Sequence, residues 1–191
     1  MKSLTFKIVG EAPLLLHNGA LCDPLNEFTR KIKEISAKRA KVDADHEQIA
    51  KLEWFGSLYL LDSKPCIPSE MMEAALIGKG GAARKVKMGK QAAAGLFVPN
   101  HAPIEYDGPT DLEELYADKR FIHRSKVKVQ TASVMRTRPI FREWAATIAV
   151  CYSPDLINEK DVIQWMQVAG EQIGIGDWRP KFGRFSATLL A

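Results

Sequence analysis

The sequence predicts an α+β fold: an antiparallel, ferredoxin-like sheet with helices on one face and a helical hairpin inserted after the first strand. Three observations lead there. Apolar and polar residues alternate at the N-terminus, two segments place apolar residues at helical spacing, and alternation resumes in the C-terminal half.

Taken in order, Leu4 to Val9 alternate as a half-buried strand that Gly10 and Pro13 close. Between Asn26 and Phe55 a Lys-, Glu- and Ala-rich stretch carries Phe28, Ile32, Ile35, Ile49 and Leu52 at helical spacing. A helical hairpin over 26–55 is expected, with Asp45 and Gln48 as a capping box. Leu58 to Leu61 is a short apolar run. Ser69, after Pro68, caps a helix through Met71, Met72, Ala75 and Leu76 that dissolves at Gly78, Gly80 and Gly81. Gly95 to Pro99 reads as a short strand, and 100–125 as a long connection with one helical turn around Leu112 to Tyr116.

Lys126 to Met135 alternates and Ile140 to Tyr152 continues as a β-rich run, so two long antiparallel strands are expected, with a bend or turn at Pro139. Asn158, with Asp161 three residues on, starts a helix carrying Val162, Trp165, Met166, Ala169 and Ile173, and Gly174 ends it. Phe182 to Leu190 is the closing strand.

A chain of 191 residues can bury one good core, so a single domain spanning 1–191 is expected. Its hydrophobic fraction of 46% and charged fraction of 26% are those of a globular protein. Cys22, Cys66 and Cys151 are odd in number and far apart, which fits reduced thiols and a cytoplasmic protein of a bacterial or phage-infected cell. No signal-peptide stretch and no run of eighteen apolar residues occurs, so the chain is expected to be neither exported nor membrane-spanning.

The net charge of +4 is mild, but its distribution is uneven. From Lys119 to Arg142 the chain carries Lys126, Lys128, Arg136 and Arg138 among other cations and no Asp or Glu. A second acid-free run, Lys79 to Lys90, holds Arg84, Lys85 and Lys87. Either run can be a solvated face; together with a basic C-terminal loop they point to an anionic partner.

Catalytic patterns are sparse. Gly78–Gly81 and Gly89–Gln91 lack the hydroxyl that a Walker loop needs, which excludes nucleotide hydrolysis of that type. His17, His46, His101 and His123 stand apart, so no metal and no cofactor is expected. His17, at a strand-to-loop junction before Asn18 and Gly19, is the one candidate for general acid–base work, a structural histidine being the other reading.

The strongest local signal is GIGDWRPKFGRF, residues 174–185, between a helix and a strand. Gly174, Gly176 and Gly183 permit positive φ and close backbone approach, Arg179, Lys181 and Arg184 can neutralise phosphates, and Trp178 offers a stacking face. The competing reading is a helix cap whose aromatics pack inward.

Three segments resemble the RAMP superfamily, whose RRM-like members form the guide-binding backbone of CRISPR effector complexes. Ala12 to Gly19 is similar to the family's strand-end PLHIG-type motif, Ile67, Pro68 and Ser69 with the helix through Leu76 to its IPxSxxxGALR element, and GIGDWRPKFGRF to its glycine-rich loop ahead of the last strand. The middle motif here lacks its glycine, and no Arg follows Leu76. VMRTRPIF and GDWRPKFGRF also look like stand-alone proteins of phages and prophages.

The resemblance implies a non-catalytic binder of single-stranded RNA or DNA that assembles side by side as an oligomer or filament. Arg136, Arg138, Arg179, Lys181 and Arg184 would contact phosphates and Trp178 would stack, with Lys85, Lys87, Lys126, Lys128 and His17 along the path. Two alternatives stay open: a metal-independent endoribonuclease using His17, and a phage structural or protein-binding module with the 26–55 hairpin as its interface.

Overall fold

A computed structural model describes residues 1–129 and 131–190. The first half runs β1 (Lys2–Gly10), β2 (Leu14–Leu15), α1 (Glu27–Ser36), α2 (Asp43–Gly56), β3 (Leu60–Leu61), β4 (Lys64–Ile67), α3 (Ser69–Leu76), α4 (Ala82–Lys85), α5 (Gly89–Gly95) and β5 (Leu96–Phe97). The second runs β6 (Ala102–Pro103), α6 (Leu112–Ala117), β7 (Ile122–Val129), β8 (Ala132–Phe141), β9 (Ala145–Tyr152), α7 (Glu159–Val168) and β10 (Phe185–Leu190). These elements make an α+β structure with antiparallel sheets, in two compact units.

The first unit gathers Met1–Leu14, Tyr59–Asp107 and Arg142–Ala191. Its principal sheet has the order β10-β1-β9-β5, each neighbour antiparallel. The period of two seen in the sequence is what the sheet uses. Phe6 pairs with Ile148 and Ile8 with Ala146, all buried. Thr5, Lys7, Thr147 and Thr188 stand on the opposite face, exposed or half-buried.

The helix α7 starts where Asn158 and Asp161 predict. The Asn158 backbone and side-chain N–H groups both donate to the Asp161 carboxylate, at 3.2 and 3.1 Å. Val162, Trp165 and Met166, spaced three and four apart, are buried. A π turn, Ala169–Ile173, follows α7 and packs with it against β10. A small second sheet, β3-β4-β6, pairs Leu60 with Pro65 and Cys66 with Pro103.

The second unit is Leu15–Leu58 with Gly108–Phe141. Helices α1 and α2 account for the 26–55 segment and pack on each other, and α2 also lies on β8. The unit's anchor is Trp54, fully buried, whose indole N–H donates to the Phe121 carbonyl at 2.9 Å and whose ring meets Tyr116 edge-on. Strands β7 and β8 form a hairpin in register from Ile122↔Pro139 to Val129↔Ala132, with β2 on the other side of β8.

Three local expectations need correction. Asp45 does not start α2: Val42 is the N-cap, and Asp45, in the third helical position, reaches back to accept the Val42 N–H at 3.1 Å. Pro68, not Ser69, occupies the N-cap of α3. Pro139 makes no turn; it lies inside β8, where its carbonyl accepts the Leu16 N–H at 3.1 Å. β7 ends at Val129 and β8 begins at Ala132, so the expected strand Lys126–Met135 is divided between two, and Ile140 and Phe141 end β8 rather than beginning the next strand.

Candidate nucleic-acid interface

The glycine-rich segment joins the π turn to β10 within the first unit. Three backbone positions there demand glycine: Gly174, Gly176 and Gly183 have φ of 71°, 78° and 70°. Its base is stitched by main-chain hydrogen bonds. The Ile175 N–H donates to the Gly183 carbonyl at 2.9 Å, the Gly183 N–H to the Pro13 carbonyl at 2.8 Å, and the Glu11 N–H to the Arg184 carbonyl at 2.8 Å. Ile175 is fully buried, while Trp178, Arg179, Lys181 and Arg184 are exposed.

The loop therefore has a buried base and a cationic tip. Trp178 adopts φ of 55°, is 38% exposed, and faces Phe182 at 6.1 Å between ring centroids. Lys181 sits 5.8 Å from the Phe182 ring centroid. Of the two aromatics that the inward-packing reading concerns, Trp178 is exposed and Phe182 is half-buried. Two exposed cations, Arg179 and Lys181, beside the exposed Trp178, with the exposed Arg184 at a base fixed by backbone bonds, can neutralise phosphates and stack a base.

The other expected contacts are distributed. Lys85 ends α4, is exposed, and donates to the Gln172 side-chain oxygen at 3.3 Å; Lys87 is exposed with φ of 63°. Lys126 and Lys128 project with Arg124 from one face of β7, all exposed. Arg136 and Arg138 belong to the second unit, as does His17, and the loop to the first.

Within the second unit, His17, Arg136 and Arg138 come together around a cavity of about 400 Å³. Asn18 holds the turn after β2 in place: its side-chain NH₂ donates to the Leu58 carbonyl at 2.8 Å and its oxygen accepts the Ala20 N–H at 2.9 Å. His17 Nδ1 then lies 3.5 Å from Ser57 Oγ. Glu53 accepts from the Arg136 guanidinium and, at 2.9 Å, from the Thr137 N–H. Arg138 is only 7% exposed. Strand alternation puts residues 136 and 138 on the same face of β8, and both line the cavity.

Among the cavity residues that escaped the sequence reading are Lys33 on α1, and Glu53 and Ser57 at the end of α2. A signal for Glu53 was present, because it follows Ile49 by four and Ala50 by three and so falls on the inward stripe of α2, where an acid needs a partner.

Among the described residues, no group of three or more His, Cys, Asp or Glu is placed to hold a metal ion, and no helix is long and apolar enough to cross a membrane. No protein-family model matches the sequence, and no curated protein matches it.

Proposed function

We propose that this protein binds the sugar–phosphate backbone of single-stranded nucleic acid through the loop at 174–184, and that it is a RAMP-like, RRM-like protein acting without catalysis. The observation that carries the reading is the combination of a fixed base and an exposed cationic tip. Ile175, Gly183 and Pro13 hold the base of the loop by main-chain bonds, so the backbone that carries the exposed Arg179, Lys181 and Arg184 is anchored before binding. Trp178, exposed beside them, adds a face on which any base can stack, worth about 1–3 kcal/mol per base.

The fold reading has its own support. Numbered by their place along the chain, the four strands of the principal sheet lie in the order fourth, first, third, second, with helices in the connections after the first strand and before the last. That is the order of a ferredoxin-like sheet. The loop then stands between the last helix and the last strand, the place the resemblance assigns to backbone contact.

The test is equilibrium binding of fluorescently labelled single-stranded RNA and DNA, followed by anisotropy, for the wild-type chain and for Trp178→Ala. The reading expects saturable binding to a single strand, weakened about tenfold or more by removing the indole. Electron microscopy of the same mixtures reports whether copies line up along the polymer. Absence of saturable binding to either polymer at low salt overturns the reading.

A further inference from the structure

Strand β7 carries a row of cations that the rest of its unit does not neutralise. Arg124, Lys126 and Lys128 alternate along it, all exposed on one face. The register fixes what stands directly opposite them on β8: Thr137, Met135 and Ser133, none of them acidic. A cross-strand neighbour is where a cation on a sheet meets a carboxylate, and the acid-free sequence from Lys119 to Arg142 removes that option. Other exposed cations of the same unit are paired, Lys31 with Glu27 at 3.0 Å, Lys51 with Glu113 at 2.7 Å and Arg120 with Asp118 at 2.7 Å. Among the described residues, no carboxylate forms an ion pair with Arg124, Lys126 or Lys128. Alternate residues of a strand lie roughly 7 Å apart, inside the screening length of about 10 Å at 0.1 M salt, so the three charges repel one another until an anion is brought to them.

The shape of the row narrows the choice of anion. From Arg124 to Lys128 the strand covers roughly 13 Å. The major groove of B-form DNA is about 12 Å wide with a row of phosphates on each rim, so one row of cations reaches both rims. Sites for single strands set aromatic rings beside their cations, because unstacked bases need a surface. Neither the three cations nor the residues opposite them include a ring, and a duplex, whose bases stack on one another, needs none.

We infer that this face of the β7–β8 ribbon is a docking surface for double-stranded DNA, with Arg124, Lys126 and Lys128 meeting phosphates on the two rims of the major groove. The surface is separate from the loop at 174–184, which belongs to the other unit and is proposed to take a single strand.

The test follows the anisotropy of a short, blunt, labelled DNA duplex of mixed sequence against the full chain over a range of salt concentrations. Saturable binding is expected, with the logarithm of affinity falling by about 0.9 per neutralised phosphate against the logarithm of salt concentration. Replacing Lys126 and Lys128 together by Gln should flatten that slope by about 2 and leave single-strand binding unchanged; both side chains are exposed, so the fold is retained. Replacing both by Arg, which keeps the charge, should restore the wild-type slope. Replacing Arg179, Lys181 and Arg184 by Ala should leave duplex binding as it is, which separates this surface from the loop. Absence of saturable duplex binding at low salt, an unchanged slope in the Gln variant, duplex binding lost with the loop cations instead, or polyglutamate or duplex RNA competing as well as duplex DNA would each overturn the inference.

Discussion

Ile175 and Gly183 close the base of the cationic loop on each other: the Ile175 N–H donates to the Gly183 carbonyl at 2.9 Å, and a Cβ on Gly183 would fall 1.8 Å from the Ile175 carbonyl oxygen. The conflict is with backbone, which cannot swing aside as a side chain would, and Gly183 also needs φ of 70°. Gly183→Ala is therefore expected to destabilise the chain by at least about 2 kcal/mol and to abolish single-strand binding. Urea unfolding read by tryptophan fluorescence checks the first part, and anisotropy the second.

Glu53 holds β8 to α2 from its buried position, serving the Arg136 side chain and the Thr137 backbone at once. Glu53→Gln keeps the shape but removes the charge that pairs with the half-exposed Arg136, so a loss of about 1–3 kcal/mol is expected. The exposed pair of Lys51 and Glu113, 2.7 Å apart, provides the contrast: Glu113→Gln should cost less than about 0.5 kcal/mol. Denaturant midpoints of the two variants, compared side by side, decide this.

How much of this was legible in the sequence depends on where the governing contacts lie. The start of α7 was readable because Asn158 and Asp161 satisfy each other within one turn, and the loop was readable because its three glycines and its cations lie within eleven residues. Pro139 misled because its ring removes an N–H but leaves the carbonyl, and β8 uses that carbonyl to pair with Leu16, a partner more than a hundred residues away. The departure of the chain from β8 at Phe141, to re-enter another sheet at Ala145, leaves no mark in the alternation of apolar residues. The cavity was invisible for the same reason: Lys33, Glu53 and Arg138 meet only through tertiary packing.

Thiol chemistry offers an independent check on burial. Burial, with a smaller contribution from the Glu70 charge, pushes the Cys66 thiol up to about 11, so it stays protonated near neutral pH, whereas Cys22 is exposed. Alkylation of the native chain at about pH 8, followed by peptide mass analysis, should label Cys22 first and Cys66 only once denaturant is added. Early labelling of Cys66 would contradict the packing of β4.

Asp45 ties stability to pH. The Lys38 ammonium, 2.5 Å away, and the Val42 N–H hold its carboxyl below the ordinary carboxylate range. Since the folded value is the depressed one, the contribution is fully present above the unfolded value of about 4 and is lost as pH falls through the folded one. Asp45→Asn should therefore be less stable than wild type near neutrality, and the gap should close in acid. A gap that stays constant across urea midpoints from neutral to acidic pH would contradict this.

Phosphate contact by the cationic loop is tested most directly by the salt dependence of binding. For single strands the logarithm of affinity falls against the logarithm of salt concentration by about 0.7 per neutralised phosphate. Replacing Arg179, Lys181 and Arg184 together by Ala should flatten the slope by about 2, with the strand and buffer held fixed. A triple variant that binds with the wild-type slope would show that the phosphates are held elsewhere.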